Sequence, residues 1–293
     1  MTRNGRPVVF GEVLFDRFPD GSVVLGGAPF NVAWHLSAFG LRPRFVSRAG
    51  SDEAGARVRR AMESWGLDTS DLQVDPHRPT GSVEVALDGG TPSFSILPDQ
   101  AYDEIEPPAD VGPISLIYHG TLAVRTAASR HALDALVART GAPVFVDVNL
   151  RDPWWEEGVV QLLLERATWA KLNEDELTTL AAGADLETRA AELQARCELD
   201  VVFVTLGSAG SLVRTSSGET TSHAPRSGVD VVDTVGAGDA YTAVVLWGLQ
   251  RGWPLLQTQK RAQEFASKMV GVRGGTCDRR EFYEPFLESW RTH

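Results

Sequence analysis

Asp239 stands in the stretch DTVGAGDAY (233–241), directly after Gly236, Ala237 and Gly238, and an apolar run follows it. Glycines let a backbone approach a ligand closely, and free N–H groups at a helix start attract anions. A carboxylate in the same place repels them. Simple anion binding has no use for this combination, whereas phosphoryl transfer requires it. The N–H groups of residues 236–238 can neutralise charge that develops on a moving phosphoryl group. Asp239 can then take the proton of the attacking hydroxyl. An ordinary Asp carboxyl, with a pKa of about 3.9, is ionised at neutral pH. Taken alone, the stretch also fits a glycine-rich turn that caps a helix, with Asp239 stabilised in the first turn.

A second stretch, GGAPFNVAWHLSAFGLRPRFVSRAG (26–50), puts paired glycines before Asn31. An Asn amide both donates to and accepts from a hydroxyl. Asp16 follows the first apolar strand, and DVNLR (147–151) ends another. In an open α/β sheet, ligands bind at such strand ends. Several donors and acceptors there suit a polyol. Asn149 and Asp16 also read, in isolation, as turn residues.

Other chemistries are excluded by what is missing. No G-x-x-x-x-G-K-[ST], H-E-x-x-H or G-x-S-x-G occurs. GAGDAY lacks the third glycine of a dinucleotide fingerprint, with Tyr241 in its place, and follows no complete βαβ unit. This counts against a Rossmann oxidoreductase. The six histidines are scattered, and His35 and His119 read as structural. The formal net charge of −11, with lysine only at 171, 260 and 268, leaves no basic face for nucleic acid and no polybasic run for a membrane. Cys197 and Cys277 lack metal spacing, which fits a reducing compartment. No signal-like N-terminus and no apolar run of about 18 residues is visible, so a soluble cytoplasmic protein is expected.

These groups need elements to position them. Apolar runs at 7–15, 44–50, 114–120, 143–149, 168–173 and 200–207 predict strands. Helical patterns at 29–40, 53–66, 125–141, 155–167, 185–197, 237–251 and 255–270 alternate with them. Continuous apolar strands interleaved with helices predict a mostly parallel sheet covered on both faces. Two segments, 16–27 and 80–97, look like hairpins without helix partners, the second with DGG (88–90) as its turn. They predict either a small β-flap over the main sheet or an extension of its edge.

The chain resembles the ribokinase-like carbohydrate kinases of the PfkB family. The first family signature matches from Gly27 through Asn31, Gly40 and Gly50, and the second matches DTVGAGDAYTA (233–243). The two motifs stand about 200 residues apart in the correct order, and the resemblance covers essentially the whole chain. The resemblance implies a Rossmann-like, mostly parallel α/β sheet with a small β-sheet lid, here segments of about 12–25 and 80–100 in a single domain over 1–293. It implies MgATP as donor, Asp239 as base, and Gly236, Ala237 and Gly238 as the anion hole. Asp16, Gly27, Asn31 and Asn149 match sugar-holding positions, and Arg151 an arginine near the transferred phosphate or sugar. KLNEDE (171–176) resembles a segment near the nucleotide phosphates, with Asn173 and Glu176; Glu174 or Asp175 could equally begin a helix. TLGSAG (205–210) resembles the nucleotide-side loop, with Thr205, Gly207 and Gly210, and could equally be a turn. Asp233 and the carbonyls of Val235 and near Arg273 and Gly275 match a potassium site. Val244 departs from the small residue usual there.

GGAPFNVA, DVNLR and PDQAYDEI (98–105) look most like bacterial fructokinases. Fructose is therefore the expected acceptor, with 2-keto-3-deoxygluconate, ribose or a nucleoside as alternatives. Phe94, Ile96 and Tyr102 are candidate lid or rim contacts, or plain packing. A homodimer through the lid is open within the family. A silent sugar- or nucleotide-binding sensor is the alternative of a different class, and the intact Asp239 and glycines count against it.

Overall fold

The computed structural model describes residues 4–88, 91–225 and 230–290. The main sheet has nine strands: β1 (Arg6–Phe10), β4 (Arg44–Gly50), β5 (Leu72–Asp75), β8 (Ile114–His119), β9 (Val144–Asp147), β10 (Trp169–Asn173), β11 (Val201–Thr205), β12 (Ser211–Thr215) and β13 (Thr220–His223). Their order across the sheet is β13-β12-β11-β10-β9-β8-β1-β4-β5. From β11 to β5 every pairing is parallel, and β12 and β13 add an antiparallel edge.

Period-two alternation splits each central strand between two cores. Val9, Phe145, Val201 and Phe203 face one apolar cluster, together with residues of helices α1 (Ala28–Ala38), α2 (Glu53–Trp65), α7 (Ala237–Arg251), α8 (Leu255–Met269) and α9 (Glu284–Trp290). Val144, Val146, Val202 and Val204 face the other side, with α4 (Glu157–Glu165), α5 (Glu174–Leu180) and α6 (Leu186–Arg196). Val8, Phe10 and Ile117 continue that side against α3 (Ala127–Thr140). Burial on both faces explains why these strands read as unbroken apolar runs.

The predicted strand 7–15 is divided. β1 stops at Phe10, and the chain leaves the main sheet to form β2 (Leu14–Arg17). At the break, a Cβ on Gly11 would overlap the ring of Pro29, so the chain passes α1 too closely for a side chain. β2 pairs with β3 (Val23–Gly26) antiparallel and with β6 (Gly81–Asp88) parallel, and β6 pairs with β7 (Thr91–Ile96) antiparallel. The two hairpins thus make one separate four-stranded sheet, β3-β2-β6-β7, and not an edge of the main sheet. Of the predicted turn, Gly89 and Gly90 lie outside the described residues. Among the described residues, no helix is long and apolar enough to cross a membrane.

Candidate active site

Two helix starts meet at the candidate site. Gly236, in the left-handed region at φ 77°, caps α7, and Gly27, at φ 107°, caps α1. Asn31 lies in the first turn of α1 and Asp239 in the first turn of α7. The Asn31 amide donates from Nδ2 to Asp239 Oδ2 at 2.8 Å. Two residues 208 apart in sequence are thereby locked together. Asn31 is buried, yet its Oδ1 accepts no hydrogen bond. A buried acceptor without a donor is costly, and a ligand hydroxyl would satisfy it. A Cβ on Gly26 would lie 3.6 Å from Asp16 Oδ2 and 4.0 Å from Asn31 Oδ1, so Asp16 adjoins the pair. No side chain at Gly26 fills the space between them.

Burial pushes the Asp239 carboxyl up to about 6; the Asn31 amide pulls it back, Asp147 raises it and Lys171 and Arg151 lower it. This corrects the expectation of an ordinary carboxylate, and it moves the group closer to the working range of a general base. Asp16 is likewise pushed up to about 6 by burial, against the charge of Arg151. Arg151 itself is exposed, on the loop that follows β9. Asn149 starts that loop with a left-handed φ of 42°, uncommon for a residue with a side chain. The Thr121 hydroxyl donates to the Val148 carbonyl at 2.6 Å and secures the bend.

The 233–236 turn is tied to a second loop. Asp233 accepts from Val235 N at 3.0 Å and from Gly274 N at 2.9 Å. This carboxylate ties the turn that carries Val235 to the loop of Arg273, Gly274 and Gly275. The Gly275 carbonyl already accepts from His35 Nε2 at 3.0 Å. Since a carbonyl only accepts, His35 must carry its proton on Nε2, and burial pushes this histidine down to about 4, which keeps it neutral. His35 is structural, as expected. Among the described residues, no cluster of three or more His, Cys, Asp or Glu could hold a metal ion. Any cation here would rest on carbonyls and Asp233.

The remaining candidates form a second group, at the ends of β10 and β11, where Asn173 and Thr205 are ladder partners. Asn173 caps α5. Its Oδ1 accepts from Glu176 N at 2.8 Å, and Glu176 Oε2 accepts from Asn173 N at 2.8 Å. Glu176 Oε1 accepts from Leu150 N at 2.9 Å. The helix-start reading of this segment is what the structure contains, and Glu176 also braces the 149–151 loop. Gly207 opens a single turn, Gly207–Ala209. A Cβ on Gly210 would overlap the His223 carbonyl, so glycine is required there by the β12–β13 hairpin. Tyr102 and Ile96 are buried in the core, and Phe94 is exposed on β7.

Four residues escaped the sequence reading. Asp147 and Lys171 form a buried ion pair, with Nζ 2.9 Å from Oδ1. Thr242 donates to Asp147 Oδ2 at 2.9 Å. Glu12 is buried between β1 and β2 and pushed up to about 7 by that burial. A lysine in an apolar strand, in a chain with three lysines, was the available signal.

Residues 9–280 match the model of the family described as pfkB family carbohydrate kinase. The chain belongs to this family of carbohydrate kinases. A fructokinase of Klebsiella pneumoniae is 32% identical over 263 residues, covering 84% of this chain and 85% of its relative. An aminoimidazole riboside kinase of Salmonella typhimurium is 30% identical, covering 77% and 74%. The solved fructokinase of Vibrio cholerae O395, in its fructose, ADP and calcium ion bound form, superimposes with a TM-score of 0.81 at 25% identity, covering 96% and 98%. Within this carbohydrate kinase, Val244 is fully buried in the core that α7 shares with α1 and α8.

Proposed function

We propose that the protein transfers the γ-phosphoryl group of MgATP to fructose, forming fructose 6-phosphate. The observation that carries this reading is the Asn31–Asp239 pair at the start of α7, beside the side-chain-poor turn of Gly236, Ala237 and Gly238. Asp239 takes the proton of the attacking sugar hydroxyl as general base. The N–H groups of 236–238 meet the charge that grows on the moving phosphoryl group. Asn31 aims the base, and its free Oδ1, with Asp16, Gly27, Asn149 and Arg151, receives sugar hydroxyls. Asn173, Glu176, Thr205, Gly207 and Gly210 flank the nucleotide. Magnesium, bound with the nucleotide, neutralises phosphate charge. Potassium held by Asp233 and the carbonyls of Val235, Arg273 and Gly275 would firm the turn under the anion hole. The four-stranded sheet, with segments 12–25 and 80–100, acts as a lid that excludes water.

Fructose is favoured by the relatives named fructokinase. The 30% identical aminoimidazole riboside kinase supports a nucleoside as the second reading. A coupled ADP-release assay with MgATP, run with and without potassium, tests both. The panel holds fructose, ribose, tagatose, adenosine and 2-keto-3-deoxygluconate. Preference for fructose is expected. Preference for adenosine moves the substrate assignment and keeps the base. Sugar or nucleotide binding without turnover across the panel would raise the sensor reading or point to an acceptor outside the panel.

The acid limb of kcat/KM gives a second check. Asp239 works only when ionised, so the rate is expected to fall about tenfold per pH unit below a midpoint near 6. A midpoint near the ordinary carboxylate value would contradict the half-buried base.

A further inference from the structure

The ion pair behind the anion hole has no part in the reading above, and its geometry gives it one. Lys171 and Asp147 sit directly opposite each other in the β9–β10 ladder. Both are buried, at 6% and 1% exposure. The ammonium contacts both carboxylate oxygens, at 2.9 and 3.3 Å. An ammonium has three N–H donors, and among the described residues its hydrogen bonds go only to Asp147. A Cβ built on Gly238 would lie 3.1 Å from Lys171 Nζ. The charge therefore lies against the backbone of the anion hole itself. Thr242, one helical turn beyond Gly238, donates to Asp147 Oδ2 at 2.9 Å. The pair thus grips the first turn of α7 from below.

A buried lysine is expensive to desolvate, and an ion pair of this kind often stabilises no more than apolar residues of the same volume. Packing alone does not account for it. We propose that Lys171 is a positioning residue for phosphoryl transfer: locked by Asp147, its fixed positive charge supports the anion hole at Gly238 and holds the Asp239 turn in place. This rests on the kinase reading of the same site. The pair also acts on the base electrostatically, because the Lys171 and Asp147 charges pull Asp239 in opposite directions. Arg151 and Glu12 also act on it, and the buried Glu176 carboxylate acts on Lys171 and Asp147 in turn.

Four variants test the assignment: Lys171→Met, Lys171→Arg, Asp147→Asn, and the double variant Lys171→Met/Asp147→Asn. Steady-state kinetics with the accepted substrate and 13C-carboxyl NMR titration of Asp239 in the ligand-free protein supply independent readouts. Lys171→Met is expected to lower kcat about 10²-fold, the size of losing one anion-hole donor, with little change in sugar KM. The Asp239 midpoint should rise in Lys171→Met, fall in Asp147→Asn and return toward wild type in Lys171→Arg. The double variant leaves neither member of the pair charged and keeps the test open if Lys171→Met fails to fold. It should show the same kcat loss. Wild-type kcat in folded Lys171→Met or in the double variant, or an unmoved Asp239 midpoint in both single-charge removals, would overturn the proposal. Failure of the kinase reading would look different. No turnover of any acceptor by the wild-type protein would remove the kinase reading, while the ligand-free titration would still report the effect of the pair.

Discussion

Asp239→Asn is expected to lower kcat by about 10²–10⁴-fold, the usual contribution of a general base, while leaving nucleotide affinity near wild type. The amide is isosteric, and Asn31 Nδ2 can still donate to its oxygen. The same substitution is expected to stabilise the protein at alkaline pH. The folded carboxyl is raised from 3.8 to about 6. The folded state therefore binds the proton more tightly than the unfolded chain between these values, and stability falls as pH rises through that window. Above it the ionised, half-buried carboxylate destabilises the fold by a constant amount. At 1.36 kcal/mol per pKa unit that amount is about 1–3 kcal/mol, allowing for partial solvent access. Denaturant unfolding of both proteins at pH 8 and pH 4 reads it directly. The gain should be present at pH 8 and nearly gone at pH 4. Equal stabilities at pH 8, or wild-type turnover in the variant, would count against a half-buried catalytic carboxylate.

That double effect was not legible in the sequence, and the reason is physical. The motif around Asp239 is local, so its residue types could be read from nine consecutive positions. The raised pKa comes from desolvation in the folded chain and from the charge of Asp147, which no local stretch contains. The helices and central strands were legible for the same local reason, down to left-handed glycines such as Gly66 and Gly141 at helix ends. The parallel pairing of β2 with β6 was not, because it joins two hairpins far apart in the chain. Polar, short strands such as Thr220–His223 carry no apolar run to detect. Asp147 and Lys171 are 24 residues apart and meet only through the register of two parallel strands. Asn173 and Glu176 show the opposite case. Their N-x-x-E spacing is that of a capping box, a local signal that went unused: the sequence suggested a helix start only at Glu174 or Asp175.

Gly236→Ala is expected to damage both fold and activity, because three constraints coincide at one atom. The residue sits at φ 77°, where a side chain strains the backbone by about 1–2 kcal/mol. Its new methyl would overlap the Cα of Gly275 and lie 3.0 Å from that residue's carbonyl carbon and oxygen. Gly275 cannot simply withdraw. Its carbonyl is held by His35, the neighbouring Gly274 N–H by Asp233, and its own absent side chain leaves the space occupied by the Asn31 amide. Relief at Gly236 therefore displaces Asn31, and with it the Asp239 carboxylate that Asn31 holds. Overpacking adds about 1–3 kcal/mol to the strain, for a total loss of about 2–5 kcal/mol. Misplaced anion-hole donors should cost about 10²–10³-fold in kcat. Gly141→Ala is the control: φ is 59°, nothing lies within 4 Å of the added methyl, and the residue ends α3. It should lose about 1–2 kcal/mol of stability from backbone strain and no activity. Denaturant midpoints and ADP-release rates for the two variants separate backbone strain from the clash. Wild-type kcat in Gly236→Ala would show that the turn of 236–238 can move without consequence for phosphoryl transfer.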